Sequence, residues 1–102
     1  MALRSLILAG LALAPLASQA QGADALQLRS LAATCANCHG TDGKSAAGSS
    51  VPPLAGQPRD HLAAQLKAFK AGTQPSTIMT QLAKGFTDAQ LEQLADYFAA
   101  RR

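Results

Sequence analysis

The sequence predicts an all-α domain, and three observations carry that expectation. Beyond residue 20 there is one valine, Val51, and one isoleucine, Ile78, too few for strands, which favour β-branched side chains. The same stretch holds seventeen alanines among leucines, glutamines and lysines, all good helix formers. Apolar residues recur at helical spacing in three places, separated by connections rich in Gly, Ser and Pro.

Residues 1–20 read as a secretory signal peptide. Arg4 gives a positive start, Leu6 to Ala17 is a twelve-residue apolar run, and Ser18 and Ala20 supply the small residues of a cleavage site. The run is too short to span a bilayer. The expected product is therefore a mature domain of residues 21–102, without a membrane span, exported from the reducing cytosol.

The first helix is expected to open at Asp24, a good N-cap, and to carry Leu28, Leu31, Ala32 and Cys35 on one buried face. It delivers Cys35 and Cys38 from the end of that face. Gly40 to Pro58 reads as loop, and a loop this long in so small a domain calls for a purpose. A second helix is expected to begin at Pro58, whose missing N–H costs nothing there, and to end at Ala71 before Gly72. Leu62, Leu66 and Phe69 form its apolar stripe, with Arg59, Lys67 and Lys70 off it. The next connection contains Met79, with a short helical turn around Met79 to Lys84. In the last helix Thr87 and Gln90 fit a capping box; Asp88 and Glu92 sit at the positive end of the dipole and Arg101 and Arg102 at the negative end. Leu91, Leu94, Ala95 and Phe98 make its apolar face.

Composition narrows the function classes. The mature domain has eight basic and six acidic side chains, without the dense basic face and interleaved aromatics of a nucleic-acid binder. Lys67, Lys70 and Lys84 are either ordinary solvated lysines or a weak guide for an acidic partner. Apart from alanine and cysteine, sixteen apolar side chains must form the core. A chain this short buries only roughly 60% of its unfolded surface and normally needs a staple. A large apolar cofactor at the centre would complete such a core.

The motif that bears chemistry is "CANCH", Cys35 to His39. A redox dithiol belongs at the start of a helix following a strand, where the dipole lowers a thiol pKa. Here the cysteines end a helix and no strand is expected. Zinc wants four ligands, usually with a second pair at a distance, and the only other strong candidate is His61. A Cys35–Cys38 disulfide would close a tiny loop and stabilise little. The reading that the whole chain favours is c-type haem attachment, whose signature is C-x-x-C-H. Cysteines three apart project from one helical turn and reach two vinyl groups as thioethers, while the adjacent histidine turns to the iron. His39 is then the proximal ligand, its other ring nitrogen held by an acceptor from the proline-containing loop. For the sixth position Met79 is favoured over a role as flexible core filler, with His61 the rival.

Over the mature length the chain resembles the small class I cytochromes c of bacteria. The matching segments are "CANCHGTDG", "VPPLAGQP", "LAAQLKAFKAGTQPSTIM" and "LAKGFTDAQLEQLADYFA". Within that group the pattern is most similar to the cytochrome subunits of flavocytochrome c sulfide dehydrogenases, and next to one half of the dihaem cytochromes. The resemblance implies a small cytochrome c fold, its N- and C-terminal helices crossing around one covalently bound haem c. It implies Cys35 and Cys38 as anchors and His39 and Met79 as axial ligands, with the Pro52 carbonyl on the His39 ring. Two departures stand out: there is one C-x-x-C-H motif where dihaem relatives have two, and His61 stands where relatives commonly have Tyr. The expected function is a periplasmic carrier of single electrons with no bond-making chemistry of its own. Its expected partner is an FAD-containing, sulfide-oxidising subunit. The alternatives are a freestanding shuttle to a terminal acceptor and a haem sensor or enzyme with a labile sixth ligand.

Overall fold

A computed structural model describes residues 14–102, and no strand occurs among them. Four helices follow in order: α1 (Ala14–His39), α2 (Arg59–Ala71), α3 (Met79–Ala83) and α4 (Asp88–Ala99), with one 3₁₀ turn at Thr41–Gly43. The expected all-α architecture is what forms.

The first helix does not start at Asp24. It is continuous from Ala14, and Asp24 lies inside it, exposed. Pro15 falls in the first turn, where proline is tolerated. After it the run is rich in Ala, Leu and Gln, strong helix formers, and Gly22 weakens it most, at a cost of about 1 kcal/mol. The expected cleavage point after Ala20 thus falls within this helix, and residues 1–13 of the expected signal peptide lie outside the described residues.

The other ends follow local chemistry. Pro58 caps α2 from just outside, its carbonyl accepting from the Leu62 N–H at 3.1 Å. Gly72 closes the helix in the left-handed conformation, φ +77°, which costs glycine little. At α4 the capping box is complete: Thr87 Oγ1 accepts from the Gln90 N–H at 3.1 Å, and Gln90 Oε1 from the Thr87 N–H at 2.9 Å. Past its end, Arg101 Nε donates to the Tyr97 carbonyl at 3.1 Å and its guanidinium lies 3.9 Å above the Tyr97 ring.

The core is built where α1, α2 and α4 meet. Ala32 of α1, Leu62 and Ala63 of α2, and Leu94, Ala95, Tyr97 and Phe98 of α4 are buried together, with Leu28, Leu31, Cys35 and Leu66 packed against them. Thus the expected faces of the first and last helices are the ones that meet. Among the described residues nine apolar side chains are buried, and four of them are alanine. A core of that content is thin for holding three helices together.

Ionic contacts fasten α2 to α4. Arg59 pairs with Asp96 at 2.8 Å and with Glu92, Lys67 also pairs with Glu92, and Lys70 reaches Asp88 at 2.8 Å. Lys67 and Lys70 are therefore not merely solvated: each pairs with a carboxylate of α4.

Candidate cofactor site

The last turn of α1 presents Cys35, Cys38 and His39 together. Cys35 is half-buried against the core, Cys38 is exposed, and neither is in a disulfide. Burial pushes the Cys35 thiol up, partly offset by the Thr34 hydroxyl. That is opposite to the depressed thiol of a redox dithiol, which is found at helix starts. Among the described residues no three His, Cys, Asp or Glu side chains converge as a metal-binding group, so a zinc site of that kind is not assembled there.

His39 is buried, 9% exposed, and its Nδ1 lies 2.7 Å from the Pro52 carbonyl oxygen. A carbonyl only accepts, so Nδ1 carries a proton, and in the neutral ring the lone pair is then on Nε2. Among the described residues no buried side-chain nitrogen or oxygen lacks a partner, and the one hydrogen bond of the His39 ring is made by Nδ1.

The loop that brings Pro52 to the ring is itself held in several places. Ser45 Oγ lies 2.8 Å from the Val51 carbonyl and 3.3 Å from the His39 carbonyl. The Gly43 carbonyl accepts from both Leu54 N–H, at 2.8 Å, and Ala55 N–H, at 3.1 Å. Two further bonds tie the loop to α4: Tyr97 Oη donates to Asp42 Oδ1 at 2.7 Å, and Gly56 N–H to the Phe98 carbonyl at 2.9 Å. The first of these pushes the Tyr97 hydroxyl pKa up, with desolvation adding to it. None of these supports is visible in the sequence reading, because Ser45 looks like any serine of a Gly/Ser-rich loop and Tyr97 like a core aromatic.

Met79 opens α3, half-buried. Its neighbours Ile78 and Leu82 are 54% and 46% exposed, an apolar edge that protein leaves uncovered. Ser76 Oγ holds the start of the helix by accepting from Thr80 N–H at 3.0 Å. His61 is exposed on the first turn of α2. An open hollow of about 660 Å³ lies beside Cys38, lined in part by Asn37, Thr41 and Lys44, and neither His39 nor Met79 borders it.

These residues fit the haem that the motif implies. Two thiols leave one helical turn, an imidazole held through Nδ1 leaves Nε2 for a metal, and apolar side chains beside a thioether await cover. Haem would complete the core that the helices alone build sparsely.

Comparison with known proteins agrees with that fit. Residues 23–98 match the family model described as cytochrome c oxidase, cbb3-type, subunit III. The chain is 40% identical over 68 residues to the cytochrome subunit of sulfide dehydrogenase of Chlorobaculum tepidum, covering 67% of this chain and 60% of that one. It is 39% identical over 88 residues to cytochrome c4 of Azotobacter vinelandii, covering 78% of this chain and 41% of the relative. With cytochrome c-554(548) of Halomonas halodenitrificans it shares 34% identity, over 67% of this chain and 84% of the relative. Among solved structures, cytochrome c4 of Acidithiobacillus ferrooxidans superposes with a TM-score of 0.60 at 41% identity, covering 65% of this chain and 37% of that one.

Proposed function

The chain belongs to the cytochrome c family, electron-transfer proteins that hold haem c covalently, and on that premise we propose a periplasmic carrier of single electrons. We assign Cys35 and Cys38 as the thioether anchors and His39 and Met79 as the axial ligands. The observation that carries this reading is the 2.7 Å contact between His39 Nδ1 and the Pro52 carbonyl, which leaves Nε2 free to bind iron.

Bound haem c supplies a ferric–ferrous couple. The protein's share is to place and tune it. Cys35 and Cys38 fix the edge at the end of α1, and the Nδ1 bond orients His39 and makes Nε2 the better donor. The Met79 sulfur would be the second protein ligand to the iron, and a thioether held there would keep water and small ligands away from it. Methionine opposite histidine also raises the reduction potential relative to two histidines.

The wild-type ferric protein should show the weak far-red band of methionine–iron bonding, and Met79→Ala should lose it. A high-spin wild type that binds carbon monoxide readily would sink the carrier reading in favour of a sensor or enzyme.

For the partner we propose an FAD-containing, sulfide-oxidising subunit, on the likeness to the Chlorobaculum tepidum cytochrome subunit. The chain spans 60% of that relative and 41% of the cytochrome c4 it matches. The second reading, a freestanding shuttle, is favoured by the likeness to cytochrome c-554(548), of which the chain spans 84%. Isolation of the holoprotein from its source decides between them: a flavin-containing chain that follows it through purification supports the first, and a lone monomer the second. We further propose export with cleavage after Ala20, and the mass of the purified holoprotein tests it. No described helix is long and apolar enough to cross a membrane.

A further inference from the structure

Ser45 stands at the closure of a small backbone loop. Its hydroxyl lies 2.8 Å from the Val51 carbonyl and 3.3 Å from the His39 carbonyl, joining the backbone of the histidine to the backbone just ahead of Pro52. A hydroxyl has one hydrogen, and the shorter contact takes most of it. The Val51 carbonyl belongs to the peptide plane that enters Pro52. With that plane held, the proline ring fixing φ, and the following Pro53 restricting ψ of Pro52, little freedom remains in the direction of the Pro52 carbonyl. That carbonyl is the acceptor for His39 Nδ1 at 2.7 Å.

The other supports of the loop act on different atoms. Gly43 holds the stretch after Pro52 through the Leu54 and Ala55 amides. Ser49 Oγ accepts from Val51 N–H at 3.1 Å and touches neither His39 nor any carbonyl near Pro52. Ser45 alone among them joins the histidine's own carbonyl to the approach of its acceptor.

We infer that Ser45 is a positioning residue for the His39–Pro52 hydrogen bond, and through it sets how strongly the His39 Nε2 donates to iron. The inference rests on His39 being the axial ligand. An outer hydrogen bond of this kind orients the ring and raises ligand basicity, which favours the ferric state. Loosening the acceptor weakens donation and moves the reduction potential up.

The test uses the loaded holoprotein and two readouts, the midpoint potential and the exchange rate of the His39 Nδ1–H proton in the ferric state. Wild type comes first. Strongly iron-shifted ring proton signals from His39 establish it as the ligand, and their absence defeats the ligand assignment itself. With those signals present, Ser45→Ala should raise the midpoint potential and speed Nδ1–H exchange about three- to tenfold, the loss of one modest hydrogen bond. Ser45→Thr should restore both values, and Ser49→Ala should leave both unmoved. If Ser45→Ala does not take up haem, Ser45→Thr and Ser45→Val, which share a shape and differ in the hydroxyl, give the same comparison. Unchanged values on loss of the hydroxyl, or equal shifts in Ser45→Ala and Ser49→Ala, overturn the inference.

Discussion

Two glycines show how strictly single positions beside the motif are set. Gly40, directly after His39, has φ +85°, and a Cβ there would come within 1.9 Å of the Lys44 carbonyl oxygen, a backbone atom that cannot swing aside. Gly48 has a similar φ of +77° but open space around it. Gly48→Ala should therefore cost only the left-handed conformation, about 1–2 kcal/mol, whereas Gly40→Ala should cost clearly more and lower haem uptake. Denaturant unfolding of the two holoproteins checks this; equal losses would mean that backbone conformation, not the clash, governs the turn. Tyr97 offers a test by pH. Its hydroxyl donates to Asp42, and its pKa is raised above the usual tyrosine value. A raised folded pKa means that the contribution is complete below about pH 10 and is lost as pH climbs through the higher folded value. Tyr97→Phe should be less stable at neutral pH and should lack that alkaline decline. A stability–pH curve parallel to wild type up to pH 11 would show the bond to be idle.

At the scale of elements, α4 organises the molecule, and its own start was plain in the sequence. Thr87 and Gln90 announce the capping box because both bonds are local, within three residues. The apolar faces of α1 and α4 were equally legible, since periodicity is a local property. What could not be read was which charges meet. Lys67 and Lys70 look solvated on a helix wheel, and only the placement of α2 against α4 gives them Glu92 and Asp88. The start of α1 was misplaced for a related reason: Asp24 is a good cap, but nothing upstream stops the helix. Loss of the Thr87 hydroxyl in Thr87→Ala should cost about 1 kcal/mol by unfolding. The ionic clamp has its own signature. Lys67 and Arg59 lower the Glu92 pKa, and Lys70 lowers that of Asp88. With lowered folded pKa values, this contribution is present above about pH 4 and fades as pH falls through the folded values. Glu92→Gln should therefore be destabilised at neutral pH and converge with wild type in acid. A constant gap down to pH 2 would assign the loss to packing.

For the whole molecule the thin core is decisive. Among the described residues nine buried apolar side chains, four of them alanine, leave the apoprotein short of the burial that normally stabilises a domain. A chain with both Cys35→Ala and Cys38→Ala should be largely unfolded by circular dichroism, and a compact apoprotein that melts cooperatively would refute this. Sequence composition already pointed here, because sixteen apolar side chains could be counted before any fold was known. It did not disclose Ser45 or the Asp42–Tyr97 bond, which join residues through the finished backbone.

That last bond spans 55 residues, and Gly56 meets Phe98 across a shorter but still long stretch of chain. Both hooks for the loop that carries Pro52 thus belong to the final helix. The loop precedes this fastening by a long stretch of chain, so both bonds form only when α4 is in place against it. A chain cut short before Tyr97 would leave the His39 support with its local bonds alone, without either anchor on α4.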